Sequence, residues 1–419
     1  GGESGYIAVN PDNPDIIFAG SYGGLLTRKD VKSGFERNVN PWPLNPMGHS
    51  AIDSKYRMQW TFPIVFSPHD SKTIYVGSSV VFKTTDEGHS FTPISPDLTR
   101  ADPKTLGPSG GPLTKDQTSV EYFATVFTIA ESAVEKGVIW AGSDDGLVHV
   151  TKNGGQTWEK VTPPDLPEWA RVSIIDASPH AGGTAYLAAN RFQLNDFAPY
   201  LYKTTDYGKS WIKIVTGINA SEFTRVIRED PVRKGLLFAG TERGVWTSVD
   251  DGAHWQRLQR NLPPVPVHDL VVKNNDLVIG THGRAFWILD DISSLRQISA
   301  EVTAKDVHLF QPNDAYRTFG GATVHYWLKR GGQKVTLEFL DGKGSTITLT
   351  VSDGVLEASD SFVLTVNATN SPGNPGEWLL RESFEGPGYE NAGWVVEGGV
   401  PNPDYTIMPL MDSQALHLT

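Results

Sequence analysis

The chain contains no cysteine. Disulfides, zinc–thiolate centres and cysteine nucleophiles are therefore excluded together. No apolar run approaches the roughly 20 residues that a membrane-spanning helix needs, and apolar residues recurring at helical spacing are almost absent. Positive charge is the scarcer sign: 36 Lys and Arg stand against 48 Asp and Glu, a net charge of −12. That balance argues against nucleic acid or an anionic membrane surface as the main partner. Paired histidine spacing of the His-Glu-x-x-His kind is missing as well. His49, His268 and His282 each stand alone on a loop and read as hydrogen-bonded structure, so no metal and no other cofactor is expected. The first residues, "GGESGY", include neither Met nor a signal sequence, and we expect a processed or truncated start.

Turn formers and aromatics are plentiful. The 42 Gly and 28 Pro suit a turn-rich β protein, and 12 Trp with 13 Tyr supply aromatic surface on which sugar rings can stack. A length of 419 residues predicts two or three domains.

One short pattern recurs four times: "KTTDEGHSF" (83–91), "VTKNGGQTW" (150–158), "KTTDYGKSW" (203–211) and "TSVDDGAHW" (247–255). Each fits Ser/Thr-x-Asp/Asn-x-Gly-x-x-aromatic. The acidic or amide residue (Asp86, Asn153, Asp206, Asp250) can accept N–H bonds within its own turn. The glycine (Gly88, Gly155, Gly208, Gly252) supplies the positive φ that a Cβ would oppose. The aromatic then begins the next strand and packs beneath the turn. The device is complete without a substrate and reads as scaffold.

A second repeat lies upstream of the first: "IIFAGS" (16–21), "TIYVGS" (73–78), "VIWAGS" (138–143), "TAYLAA" (184–189), "LLFAGT" (236–241) and "LVIGT" (277–281). Each unit reads as a strand, a Pro/Asp turn, an apolar strand ending in a small residue, a short turn, a strand, an acidic turn and a strand. Spacings of roughly 40 to 65 residues are those of propeller blades. The predicted fold is all-β: a β-propeller of about six or seven four-stranded blades, followed by a small β-sandwich.

The four copies resemble the Asp-box (BNR) repeat of sialidases, xyloglucan-cleaving hydrolases and sortilin/VPS10 propellers. The longer stretches "WTFPIVFSPHD", "WAGSDDGLVHVTKNGGQTWE", "TERGVW" and "THGRAFWILDD" resemble large bacterial secreted proteins of glycosyl hydrolase or VPS10-like type. The resemblance covers residues 1–297 and implies a secreted or cell-surface location. Residues 322–354 alternate apolar and polar residues with glycine turns, which predicts a small Ig-like β-sandwich over 298–370, and "TLTVSDGVLEASDSFVLTVNATN" (348–370) resembles a cadherin- or Ig-like module. In 371–419 we expect a linker, "SPGNPGE", and part of a jelly-roll or laminin-G-like domain.

Propeller geometry sorts the residues by face. The acidic turns join strands 3 and 4 on one face; the turns joining strands 2 and 3, and the connections entering strand 1, lie on the other. On that second face the chain places Asp144, Asp145, Glu121 and Glu242 together with Arg57, Trp60, Tyr122, Arg171, Arg191, Arg225, Arg243, His268, His282 and Arg284. Several arginines and carboxylates on one rim suit a polar, anionic or polyhydroxylated ligand. Paired as Glu242–Arg243 and Asp145–Arg191, they also serve to tie blades together.

A glycoside hydrolase would need an acid and a second carboxylate across the scissile bond. The candidate pair is Asp144 or Asp145 with Glu121 or Glu242. One would protonate the leaving oxygen, its pKa raised by burial, and the other would activate water or attack. Two functional expectations follow: a secreted glycan-active propeller, or a non-catalytic sortilin-like propeller holding a peptide, protein or glycan in its channel. Carboxylates tied up by arginine would favour the second.

Overall fold

The structure is a computed structural model of the chain. It describes residues 5–118, 122–313 and 322–329, and beyond them the strands 334–340, 346–351, 357–358, 394–397 and 413–418.

The protein is a six-bladed β-propeller of four-stranded antiparallel blades. Blade 1 comprises Ile7–Val9, Ile16–Ser21, Leu25–Asp30 and Glu36–Asn38; blade 2 comprises Ile64–Ser67, Asp70–Gly77, Val81–Thr84 and Thr92–Pro93. Blade 3 runs Val126–Glu131, Ile139–Ser143, Val148–Thr151 and Glu159–Lys160. Blade 4 runs Arg171–Ala177, Ala185–Arg191, Asp196–Thr204 and Ile212–Lys213. Blade 5 runs Thr224–Glu229, Leu237–Thr241, Val245–Ser248 and Gln256–Arg257. In blade 6, Val267–Lys273, Asp276–Thr281 and Phe286–Leu289 are completed by Trp394–Glu397, a strand from far along the chain.

The chain divides into two compact units, Gly1–Gln256 with Pro266–Leu270, and Arg257–Val265 with Val271–Thr419. In the first, the opening strands of successive blades lie beside one another, which makes them the inner strands at the hub. Apolar residues alternate along the central strands of each blade, so both faces of a blade bury side chains against its neighbours. Phe18, Leu26, Phe62, Ile74 and Val76 fill the junction of blades 1 and 2; Trp140, Val148, Val172, Leu187 and Tyr202 fill that of blades 3 and 4.

The four acidic turns explain how blades are joined. In the first, Thr84 Oγ1 donates to Asp86 Oδ1 (2.7 Å), Ser90 N–H donates to the same oxygen (2.9 Å) and Gly88 N–H to Thr84 Oγ1 (3.1 Å). The other three copies close in the same way. These bonds hold Asp86 far below the ordinary carboxylate range, the Ser90 side chain contributing most.

The aromatic does more than pack beneath its own turn. The indole N–H of Trp158 donates to the carbonyl of Ile94 (2.8 Å), that of Trp211 to Val161 (2.6 Å) and that of Trp255 to Ile214 (2.7 Å). Each acceptor belongs to the preceding blade, so the repeat fastens one blade to the one before it.

At the hub, Arg228 of blade 5 donates to Asp176 of blade 4 (3.3 Å), to Asp269 (3.0 Å) and to the carbonyl of Leu270 (3.1 Å). Burial works against the charge of Arg228, and its two carboxylate partners more than offset it, leaving the pKa raised. Here a buried charge is tolerated because it is paired and hydrogen-bonded.

In the second unit two short helices, Ser293–Gln297 and Ala300–Ala304, follow blade 6. Ser299 caps the second by accepting from Val302 N–H (3.2 Å). Two three-stranded sheets lie beyond: Val307–Leu309, Ala322–Leu328 and Ser413–Leu418, and Thr346–Val351, Lys334–Leu340 and Glu357–Ala358. The described part of 298–370, the stretch read as Ig-like, comprises the second of these helices and strands of these sheets, and the jelly-roll reading of 371–419 falls largely outside the described residues.

Candidate ligand-binding face

Two long insertions meet on the face opposite the acidic turns, one before blade 2 and one before blade 3. Tyr122 hydroxyl donates to the carbonyl of His49 (2.9 Å) and accepts from Ser54 Oγ (3.1 Å), and Ile52 N–H donates to the carbonyl of Leu106 (3.0 Å). Buried Arg57 donates to the carbonyl of Ala124 (2.9 Å), to Asp97 (2.6 Å) and to Thr99 (3.0 Å). Tyr122 and Arg57 therefore hold the two insertions together.

Asp144 and Asp145 anchor the same region. Asp144 accepts from both the N–H and the hydroxyl of Thr125 at 2.8 Å and is 2% exposed. Burial pushes its pKa up to about 7. Asp145 is wholly buried and accepts from Ser143 Oγ (2.6 Å) and Arg100 N–H (2.8 Å), while Arg100 Nε donates to its carbonyl (2.8 Å). Its pKa is also raised by burial.

The pairings differ from the sequence expectation. Asp145 meets Arg100 rather than Arg191, and Arg191 lies 3.6 Å from Asp196 and donates to the carbonyl of Glu168. Glu242 meets Arg225 rather than Arg243: its Oε2 accepts from Nε (2.9 Å) and Nη2 (2.6 Å). Sequence adjacency misleads here because neighbouring turn residues diverge, whereas the inner strand of the same blade runs alongside.

A shared irregularity aims side chains at the hub. The inner strands of blades 3, 4 and 5 each slip register by one residue, at Phe127, Ser173 and Arg225. Such bulges re-aim one residue without ending the strand. Ser173 Oγ donates to the carbonyl of Arg225 (2.6 Å), which locks the inner strands of blades 4 and 5 together. Arg225 lies over the rings of Phe223 (4.9 Å) and Phe192 (5.3 Å), which stack on each other at 4.8 Å. Arg171 lies over Phe127 (5.0 Å), and its Nη2 donates to exposed Gln193 (2.9 Å). Arg100 lies 5.0 Å from Trp169, which stacks on Phe123.

The remaining candidates are dispersed. Trp60 is half-buried, and its indole N–H has no partner among the described residues. Arg243 and His268 are exposed in the first unit; His282 and Arg284 are exposed in the second. Glu121 lies outside the described residues. Among the described residues, no group of three or more His, Cys, Asp and Glu could hold a metal. Phe127, Phe192, Gln193 and Phe223 were missed from the sequence. A bulge hides Phe127, since strict alternation hands every second residue to the core and the slip changes which one faces the hub, while Phe192, Gln193 and Phe223 lie in turns outside the strands, where no periodicity marks them.

No family model matches this chain, and no curated protein matches it. Solved structures similar to it include a GH74 xyloglucanase from Xanthomonas campestris (17% identity, 79% of this chain and 48% of that chain, TM-score 0.49). YCF48 bound to D1 peptide is similar over 76% of this chain and 87% of that one, at 14% identity and TM-score 0.44. The chain spans about half the length of the GH74 structures it matches, 48% to 50% of each. At these identities the likeness concerns the fold alone. No helix among the described residues is long and apolar enough to cross a membrane.

Proposed function

We propose that this is a secreted or cell-surface Asp-box propeller whose second face binds a glycan without cleaving it. One observation carries the reading: every described carboxylate nominated for catalysis is already engaged, Asp144 by Thr125, Asp145 by Ser143 and Arg100, and Glu242 by Arg225. A general acid must reach the leaving oxygen within hydrogen-bond distance. Asp144 has the raised pKa of such an acid, yet both its oxygens are taken and it is closed to solvent. What the face leaves half-open is recognition chemistry, with Phe127, Phe192 and Trp169 beside arginines. Aromatic rings with a few convergent polar groups suit a polyhydroxylated chain.

The test is calorimetric titration with plant, algal and bacterial polysaccharides, run beside an assay for released reducing ends. Binding without release is the expected result. Release of reducing ends would replace the reading with a hydrolase, and its loss in an Asp144→Asn/Asp145→Asn double variant would place the acid there. A peptide bound in preference to every glycan would favour the VPS10-like alternative.

A further inference from the structure

The arginines of the second face are not equivalent. Arg57 has Asp97, Arg225 has Glu242, Arg191 has Asp196, and Arg100 has Glu168 at 3.5 Å. Arg171 has no ion pair among the described residues, and its buried Nε has no hydrogen-bond partner. Its one hydrogen-bonded side chain is Gln193, neutral and exposed on the turn after Ala185–Arg191. Asp144 is the nearest opposite charge by electrostatic effect, but Thr125 holds both its oxygens. The like charge of Arg225 acts on Arg171 from the adjoining inner strand. A largely desolvated guanidinium with a single neutral partner carries a penalty that an incoming anion relieves.

We propose that Arg171 is the anchor for a carboxylate on the bound chain, so that the ligand class is an acidic polysaccharide containing uronate units. This rests on the glycan-binding reading above. Gln193 marks the approach: its amide oxygen occupies the position at Nη2 that a carboxylate oxygen takes over when the exposed side chain swings away. Phe127 beneath the guanidinium fixes its plane, which favours a flat, two-oxygen acceptor.

The test titrates the whole chain with a galacturonate oligomer and with the same oligomer after its carboxylates are reduced to alcohols. The acidic form should bind at least about tenfold more tightly, the size of one charge-assisted contact, and more weakly as salt rises. Arg171→Gln should bring the acidic oligomer down to the level of the reduced one. Gln193→Glu, which supplies an internal carboxylate at the same guanidinium and folds independently of the Arg171 change, should also erase the preference. Equal affinity of the two oligomers for the unaltered chain overturns the inference and leaves glycan binding standing. An unchanged preference in either variant overturns the assignment to Arg171. If neither oligomer binds and the polysaccharide panel is also silent, the glycan reading itself falls.

Discussion

In blades 2 to 5 the glycine of the acidic turn sits against the blade before it. A Cβ on Gly88, Gly155, Gly208 or Gly252 would lie 2.6–2.7 Å from Val39, Ile94, Val161 or Ile214. In blade 1 the corresponding turn runs through Asp30 and Gly34 to Phe35. Asp30 accepts from Lys32 and Ser33 N–H groups, and Gly34 has the same positive φ, +72°. Yet a Cβ on Gly34 would meet nothing within 4 Å, and Phe35 is 60% exposed. The comparison separates two demands that the repeat merges. A turn needs glycine for its own backbone, whereas a fastener also needs the missing side chain because another blade occupies the space.

The widest split is expected at the aromatics. Trp255→Ala, removing a buried side chain and its bond to the Ile214 carbonyl, should cost about 3–5 kcal/mol, against about 0.5 kcal/mol or less for Phe35→Ala. Equal shifts in denaturant midpoint would break the comparison. Next come the glycines. Gly155→Ala combines a left-handed backbone with overpacking on the Ile94 carbonyl and should cost about 2–4 kcal/mol. Gly34→Ala should show only the backbone part, about 1 kcal/mol.

The faces also differ in how they respond to pH. On the fastened face Asp86 and Asp206 have lowered pKa values through serine hydrogen bonds, so their contribution is present above the unfolded value and lost as acid protonates the folded form. On the second face burial raises Asp144 to about 7. Its sign is opposite: the folded state keeps a proton that the unfolded state has released, so stability falls as pH rises from about 4 to 7. Unfolding measured across that window should show Asp144→Asn gaining on the unaltered chain by on the order of 4 kcal/mol. A parallel pair of curves would sink the assignment. On the second face Arg100→Ala should cost only about 1–2 kcal/mol, since Asp145 keeps Ser143 and the residue 100 N–H. Faster proteolysis of the 94–122 insertion is its more sensitive readout.

Most of the fold was legible because its signals are local. Glycine and Asx turns, period-two strands and their spacing are set by short-range sterics and hydrogen bonding, which identical residue types reproduce wherever they occur. The charged rim was legible as a population but not as pairs. Arg225 finds Glu242, and Asp145 finds Arg100, across turns and insertions whose approach no spacing encodes. Phe127 and Arg225 depend on a register slip, which leaves no mark in the alternation.

By itself the sequence determined the blade unit and its scaffold turns, because each follows from backbone conformations within a few residues. Only the tertiary structure decided that the indoles clasp the preceding blade, that the last blade takes its outer strand from residues 394–397, and that Arg57, Arg225, Arg191 and Arg100 each meet a carboxylate while Arg171 has no ion pair among the described residues. Those outcomes turn on which surfaces meet. Burial and Coulomb interactions depend on distance in space, and the chain order does not carry that distance.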